Sequence, residues 1–376
     1  MGIIDKSSVA GHSTGLSVKR GERWPATQYI NLVRKSVLPG VARHRWLGIL
    51  ACIAATVSLM GGTMISSSFA KDPSWQPGHT AEFIVPSTAG GSLDLTARSL
   101  KRLWQKHHLV NAPIVVVNKP GGGHAVALSY LNQHRGDAHY IAVESPNLLL
   151  SNIVGRSAVT YTGVTPICML FTDYMAFAVK ADSPIKTGKD LVNRLKKAPD
   201  SLSIALSSAV GGTHYLALTL ALRAGGVDLK KLKLVAFQSN SKAVTAVLGG
   251  HVDVMVGAPS AIMPYMGGKL RVIAVSSPKR LPGAFSGVPT WKEQGYDAVF
   301  ANWRAIIAPT GISDDERAFW QNLCKESVQL DEFKKTLAPH LWVPNYMGAA
   351  ETVKFMKNQY DLLQGLLVEV GLAVKK

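Results

Sequence analysis

The chain has 376 residues, of which 47% are hydrophobic and 17% are charged, a composition typical of a globular protein and not of a disordered one. The formal net charge is +17. Residues 1–70 hold eight Lys/Arg and two Asp/Glu, so +6 of this charge lies there and +11 in the remaining chain. Basic residues are scattered and form no dense run with interleaved aromatic residues, which argues against a nucleic-acid partner. The positive charge favours the capture of small anions.

The N-terminal 70 residues predict export. Residues 1–42 are polar, basic and without periodicity, and we interpret them as a leader or as the product of an over-extended start. Residues 43–70 have a basic beginning, an apolar centre and small residues at the end, as a secretory signal does. We therefore expect cleavage near Ala70/Lys71 and a periplasmic mature protein. An uncleaved anchor is the alternative, because residues 47–70 are long enough to span a bilayer.

After cleavage the chain would keep two cysteines, Cys168 and Cys324. They permit one disulfide, but one lies in an apolar segment and the other in a helical segment, so two buried thiols are an equal alternative. So few cysteines fit an exported protein that is large enough to fold without many crosslinks.

From residue 80 onward, predicted strands alternate with predicted helices, and loops rich in glycine or hydroxyl residues follow the strands. This alternation predicts an α/β fold with a parallel sheet and helices on both faces. Ligands of such sheets bind beyond the carboxyl ends of the strands. In chain order we expect strands at 81–85, 114–117, 140–143, 174–179, 202–206, 234–237, 252–256 and 271–275, helices at 93–107, 125–133, 188–197, 215–224 and 242–248, and a mostly helical tail at 316–374.

The first glycine loop, residues 86–92, carries a signal for anion binding. An apolar strand stops at Pro86, small residues follow, and a helical pattern begins at Leu93. We predict Ser92 as the N-cap of the helix and Asp94 as an acidic residue of its first turn. Backbone N–H groups at such a junction suit an anion, and glycine lets them come close to it. A well-capped structural turn is the alternative.

Motifs of common enzyme classes are absent or misplaced. A G-x-S-x-G match at residues 11–15 has no strand before it and no helix after it, so it is not a nucleophile elbow. The sequence has no dinucleotide, P-loop or zinc fingerprint. Asp94 has no second carboxylate spaced for acid–base catalysis, and we interpret His214 as a surface or capping residue and Trp303 as a packing residue. We predict a protein that is not an enzyme and needs no cofactor or metal.

Nine segments of the chain, in order, resemble the substrate-binding receptors of tripartite tricarboxylate transporters, also called the Bug family. The resemblance implies a type II periplasmic-binding-protein fold with two lobes, a ligand cleft and a hinge. The segments are VPSTAGGSLDLTAR (85–98), VVVNKPGGG (115–123), ESPNLLL (144–150), VKADSPIKTGKDL (179–191), SSAVGGTHYLA (207–217), LVAFQSNSKAVTAVLGGHVDV (234–254), GGKLRVIAVSSPKRL (267–281), VPTWKEQGYD (288–297) and NWRAIIAPTGIS (302–313).

The resemblance also implies lobe boundaries and ligand-binding residues. We expect lobe 1 at residues 71–172 and 300–376 and lobe 2 at residues 173–299. Family receptors hold a ligand carboxylate with backbone N–H groups, hydroxyls and waters. Carried over by position, the binding residues are Ser87, Thr88, Gly90, Gly91, Asp94, Ser145 and Asn147 in lobe 1, and Ser207, Ser208, Gly211, Gly212, Thr213, Gln238, Pro259 and Ser260 in lobe 2.

The chain departs from the family pattern in both glycine loops. Ser92 stands where the family usually has Gly, and Ala89 stands where it often has Pro. The family commonly places His directly before the Leu-Ala of the second loop, whereas this chain has Tyr215 there and the His one residue earlier.

Together these features predict a monomeric periplasmic receptor that closes two lobes on a small organic acid, a di- or tricarboxylate, and delivers it to the membrane permease subunits of a tripartite tricarboxylate transporter. A sensory receptor that presents its ligand to a signalling partner is the alternative. An enzyme on the same scaffold would need a nucleophile or an acid–base pair, which the loops lack.

Overall fold

Two β-sheets and the helices packed on them make up the part of the chain that the computed structural model describes, residues 75–207, 210–237 and 239–374. The predicted leader and signal segment lie outside these residues, as do Ser208 and Gln238 of the predicted site. The described strands are β1 (Ala81–Val85), β2 (Ile114–Asn118), β3 (Tyr140–Glu144), β4 (Thr165–Asp173), β5 (Ala176–Lys180), β6 (Ser203–Leu206), β7 (Lys233–Ala236), β8 (Val254–Gly257), β9 (Leu270–Val275), β10 (Asn302–Ala308) and β11 (Val343–Met347).

Helices cover these sheets, and several begin at a side-chain cap. The side chain of Thr187 accepts a hydrogen bond from the Asp190 N–H, and that of Ser313 accepts one from the Glu316 N–H; in both cases the acidic side chain bonds back. The described helices are α1 (Ser92–Lys106), α2 (Ala125–Gln133), α3 (Asn147–Ile153), α4 (Gly188–Lys197), α5 (Thr213–Ala224), α6 (Asn240–Leu248), α7 (Pro259–Ile262), α8 (Asp314–Gln329), α9 (Asp331–Leu337) and α10 (Ala349–Glu369). None of these helices has the length and apolar character needed to span a bilayer.

Both sheets are mixed. The first has the order β11-β4-β10-β3-β1-β2, and the second has the order β7-β6-β8-β5-β9. Strand β1 pairs in parallel with β2 and β3, while β10 is antiparallel to β3 and β4. In the second sheet β6 is parallel to β7 and β8, and β5 is antiparallel to β8 and β9. The α/β prediction is confirmed, but the predicted parallel pairing holds for only part of each sheet, because β5 and β10 follow the segments that cross between the sheets and run antiparallel to their neighbours.

The chain passes from the first sheet to the second between Asp173 and Ala176 and returns between Val275 and Asn302. Hydrogen bonds hold these two crossing segments together. The Met175 N–H donates to Ser276 Oγ at 2.9 Å, and the Ser276 N–H donates to the Met175 carbonyl at 2.9 Å. Ser276 is buried and is also bonded to Phe300. One buried serine thus joins both connections between the sheets.

The core of the first sheet is crosslinked. Cys168 on β4 and Cys324 on α8 are both buried and form a disulfide with 6.7 Å between their Cα atoms. Trp104 and Trp320 pack in the same cluster, and Trp104 donates to the buried Ser327 hydroxyl at 2.7 Å. Of the two alternatives left open by the sequence, the structure therefore has the disulfide.

Candidate functional site

The buried side chain of Asp94 supports the first glycine loop through hydrogen bonds. Its Oδ2 accepts from the Gly90 N–H and from Arg98 Nε, each at 2.9 Å, and its Oδ1 accepts from Asn118 Nδ2 at 2.9 Å. Burial raises the pKa of Asp94, but the bonds from Arg98, Gly90 and Asn118 outweigh burial and leave the pKa below its ordinary value. Asn118 also donates to the Ser87 carbonyl at 2.9 Å. The carboxylate therefore fixes the shape of the loop.

Ser92 is not the N-cap of helix α1. Gly91 takes that position without a side-chain cap, and Ser92 is the first residue of the helix. Asp94, at the third helical position, accepts from the N–H of Gly90, the residue before the N-cap, and so ties the glycine loop to the first turn of the helix. The Ser92 hydroxyl is used elsewhere: it accepts from Arg304 Nη2 at 3.0 Å.

Two glycines in this loop are needed for its shape. Gly90 has a φ of 81°, in the left-handed region that favours glycine. A Cβ atom on Gly91 would lie 3.2 Å from Ser87 Oγ and 3.3 Å from the Thr88 carbonyl oxygen, which is tighter than ordinary contact. Thr88 and Gly90 are exposed. The loop therefore presents its backbone at the surface of the site.

At the end of β3 the structure brings together a buried chain of polar side chains. Glu144 is fully buried, and its Oε2 lies 2.7 Å from His124 Nδ1 and accepts from the Ser145 N–H at 3.0 Å. His124 Nε2 lies 3.0 Å from Asn147 Nδ2. Ser145 Oγ accepts from the Asn147 N–H at 3.4 Å. The sequence indicated Ser145 and Asn147 but missed His124 and Glu144, although an acidic residue at the end of an apolar strand is a signal for such a cluster.

Gly211 and Gly212 of the second glycine loop lead into helix α5. Gly212 is the N-cap and carries no side-chain cap, and Gly211 has a φ of 84°. A helix that begins in this way presents backbone N–H groups and the positive end of its dipole. Thr213 is the first helical residue. This end of α5 has the character predicted for an anion site.

A cavity of about 310 Å³ lies between this helix end and the loops of the first sheet. It combines four of the predicted site residues, Asn147, Gly211, Gly212 and Thr213. Arg156, which the sequence analysis did not single out, is the charged side chain among the lining residues. The lining consists of Gly123, Asn147, Leu150, Ser151, Val154, Arg156, Gly211, Gly212 and Thr213.

The other described residues of the predicted site are not in the lining of this cavity. Ser87, Thr88, Gly90 and Gly91 form the loop after β1, and Asp94 supports that loop from helix α1. The Ser145 hydroxyl accepts a hydrogen bond from the Asn147 N–H. Ser207 follows β6 and donates to the Val256 carbonyl at 3.3 Å, and Pro259 and Ser260 begin helix α7 after β8.

Arg304, a buried cation on β10, was also missed by the sequence analysis. Its Nη1 donates to Asn302 Oδ1 at 2.9 Å, and its Nη2 lies 3.9 Å from Asp173 Oδ2. Burial lowers the pKa of Arg304, and the carboxylates of Asp173 and Glu144 act in the opposite direction. A charged residue inside the apolar strand WRAIIA was the available signal.

Arg304 lies near the start of both helices that follow the glycine loops. It bonds Ser92 at the end of the first loop, and it lies near His214 just after the second. Burial, with a contribution from Arg304, lowers the pKa of His214 to about 4. Burial also raises the pKa of Asp173 to about 6, although Arg304 and Asn302 partly offset it. His214 is therefore not a simple capping residue but part of a buried electrostatic cluster.

The model of the tripartite tricarboxylate transporter family receptor matches residues 98–372. A relative from Cupriavidus necator, described as "UPF0065 protein in gbd 5'region", is 26% identical over 325 residues, which cover 86% of this chain and 96% of the relative.

Solved structures share the fold. A TctC solute binding protein from Polaromonas, solved without ligand, has a TM-score of 0.68 at 24% identity over 78% of this chain and 99% of its own. A Rhodopseudomonas palustris protein solved with adipate has a TM-score of 0.67 at 21% identity over 79% of this chain and 99% of its own. MatC from Rhodopseudomonas palustris, with bound malate, has a TM-score of 0.64 at 20% identity over 77% and 99%. These likenesses confirm the predicted two-lobe periplasmic-binding-protein fold.

Proposed function

The chain belongs to the tripartite tricarboxylate transporter receptor family, and on this basis we propose that it binds a small di- or tricarboxylate in the cavity at the start of α5. The family consists of solute-binding receptors and not of enzymes, which confirms the prediction of a non-enzymatic protein. The substrate class is our proposal.

The observation that carries this proposal is the pairing of a helix N-terminus with a cation in one cavity. Gly211, Gly212 and Thr213 bring the start of helix α5 to the lining of this cavity, and Arg156 brings a guanidinium to the same lining. A guanidinium and a helix N-terminus both favour carboxylate oxygens, and two such groups in one cavity suit an acid with two carboxylates. Structural neighbours with adipate and with malate bind acids of this class, which supports the assignment.

We propose that the two lobes, residues 71–172 with 300–376 and residues 173–299, close on the ligand about the segments joined by Ser276. The loop residues Ser87, Thr88, Gly90, Gly91, Ser207, Ser208, Gln238, Pro259 and Ser260 would then complete the enclosure, with Asp94 and Ser145 supporting it. A closed site excludes water, so that fixed dipoles replace the hydration of the carboxylate.

In this proposal the protein works in the periplasm as a monomer, after cleavage near Lys71, and delivers its ligand to the permease subunits of a tripartite tricarboxylate transporter. The disulfide between Cys168 and Cys324 supports an oxidising compartment. A sensory receptor that presents the same ligand to a signalling partner would use the same cavity. Co-purification of the ligand-loaded protein with permease subunits, and not with a sensor kinase, would separate the two roles.

A thermal-shift titration of the mature protein tests the ligand class. We expect adipate, malate or citrate to raise the melting temperature, and the corresponding neutral amides to leave it unchanged, because a ligand that binds only the folded state stabilises it. Arg156→Gln should weaken the shift without lowering the melting temperature of the free protein, since Arg156 is exposed. An equal response to acids and neutral amides would contradict the proposal.

A further inference from the structure

We propose that Glu144 and His124 are positioning residues that fix the side-chain amide of Asn147, so that its carbonyl oxygen Oδ1 is offered to the ligand. The cavity would then prefer an organic acid that carries a hydroxyl or amino group over the plain diacid of the same length. This inference rests on the proposed function, because it names a substrate class for the same cavity.

The first step is the protonation of the His124 ring. Glu144 is fully buried, and its Oε2 takes both the Ser145 N–H and His124 Nδ1, at 3.0 and 2.7 Å. An ionised carboxylate can only accept hydrogen bonds, so Nδ1 carries the hydrogen. In a neutral ring the other nitrogen, Nε2, is then an acceptor.

The second step concerns the charges around the ring. Arg156 lies beside the backbone that precedes His124: a Cβ atom on Gly123 would be 3.6 Å from Arg156 Nη1. Arg304 already acts as a counter-charge for Glu144. Within these surroundings Asn147 Nδ2 lies 3.0 Å from His124 Nε2, and because an amide nitrogen can only donate, Nε2 is the acceptor of the pair and the ring carries its one hydrogen on Nδ1.

The third step follows from the amide of Asn147. With Nε2 as the acceptor, Asn147 keeps Nδ2 toward the ring, 3.0 Å away, and Oδ1 away from it. Asn147 is half-buried and lines the cavity. Its Oδ1 takes part in none of the hydrogen bonds of the described residues, and this acceptor bonds a hydroxyl or an amino group of a ligand but not a carboxylate, while the second hydrogen of Nδ2 remains a donor.

The backbone supports a functional role for His124. This residue has a φ of 87°, in the left-handed region that residues other than glycine rarely adopt. It follows three glycines that all have positive φ, Gly121, Gly122 and Gly123. The strained backbone at His124 places its ring between the buried Glu144 and the cavity residue Asn147. Such strain persists only where the surrounding structure enforces it, which indicates a functional role for the position of the ring.

Long-range ¹H–¹⁵N NMR of the histidine-labelled mature protein tests the ring directly and needs no ligand. We expect His124 in the Nδ1–H form at pH 7.5, alongside His139, whose Nδ1 lies 2.8 Å from Asp137 Oδ1, and the His124 signal is identified as the one lost in His124→Asn. A matched control is His134→Asn, because His134 stacks on Tyr140 outside the cavity lining. An Nε2–H or doubly protonated His124 would overturn the inference even if dicarboxylates bind.

Calorimetry with a matched pair of acids tests the specificity. Malate and succinate differ by one hydroxyl, and we expect malate to bind about tenfold more tightly, as one hydrogen bond to a half-buried acceptor would give. In Glu144→Gln the new amide can donate to Nδ1 as well as accept from it, so the ring hydrogen is no longer fixed on Nδ1 and Asn147 is no longer held in one orientation. The malate preference should then fall to about one, while the affinity for succinate is kept or increased.

A second variant keeps the test decisive if Glu144→Gln does not fold. Asn147→Ala should abolish the malate preference and leave the His124 signal in the Nδ1–H form. Equal binding of malate and succinate by the wild-type protein would overturn the specificity step. Binding of neither acid, nor of any other carboxylate, would instead contradict the proposed function, and the two failures are thus distinguishable.

Discussion

At the scale of single residues, the pKa values of His214 and Asp173 are both shifted, and each makes the stability of the fold depend on pH, with opposite sign. The folded-state pKa of His214 is about 4, against about 6.5 for an unperturbed histidine. Between these values the unfolded chain binds a proton that the folded protein excludes, so stability falls as the pH falls from 6.5 to 4. The folded-state pKa of Asp173 is raised to about 6, so the contribution of Asp173 to stability increases as the pH falls over the same range.

Replacing His214 with Asn should therefore reduce the loss of stability on acidification. At pH 4.5 the wild-type protein should lose about 2 kcal/mol through His214, relative to pH 7, and the variant should not. Urea unfolding at the two pH values measures the difference. Asp173→Asn is the matched control, because it should change the pH dependence in the opposite direction; variants that shift it alike would contradict the assignment.

A substitution at Gly91 should weaken ligand binding much more than it lowers the stability of the fold. A Cβ atom there would press on Ser87 Oγ and the Thr88 carbonyl, so Gly91→Ala must shift the exposed loop, while little buried apolar surface changes. We expect the affinity for a dicarboxylate to fall about tenfold or more, with a stability loss below about 1 kcal/mol. Gly268→Ala is the control, since its Cβ atom would meet nothing within 4 Å. Equal losses of binding and stability would indicate a purely structural turn.

At the scale of elements, local pattern predicted eight of the eleven described strands, including the antiparallel β5 and β9, but it missed β4 and β10, and it placed β11 in a helical tail. Strands β1, β2 and β3 are apolar runs bounded by loops, and β1 pairs with the next two strands of the chain, β2 and β3. Strand β4 pairs with β10, some 130 residues away, and no local signal specifies that partner. The clusters around Glu144 and Arg304 depend on these long-range pairings, which explains why the sequence predicted the loops but not the buried charges behind them.

The disulfide between β4 and α8 should stabilise the fold strongly because it closes a long segment. The two cysteines are 156 residues apart in sequence, and restricting an unfolded chain over such a distance is worth about 5 kcal/mol in the chain-entropy model, with measured effects of about 2–5 kcal/mol. We expect Cys168→Ala/Cys324→Ala to unfold at a lower urea concentration than the oxidised wild type. Reductant should lower the midpoint of the wild type and leave that of the double variant unchanged; no effect of reductant on the wild type would contradict a structural disulfide.

At the scale of the whole molecule, the net charge should control how fast the ligand arrives rather than how long it stays. Residues 71–376 carry a net charge of +11, and the field of such a charge raises the encounter rate of an anion in a manner that salt screens. The contacts inside the cavity are shielded from salt, since Asn147 and the start of α5 are partly buried there. We expect the association rate of a dicarboxylate to fall several-fold between 10 and 300 mM NaCl, roughly as the Debye length shortens, with the dissociation rate nearly constant. Stopped-flow tryptophan fluorescence measures both rates.

Arg156→Gln should show the reverse pattern, with faster dissociation and a similar salt dependence of association, because one charge in the cavity contributes little to the total field. If salt changes the dissociation rate instead, binding energy and not steering would be the role of the surface charge.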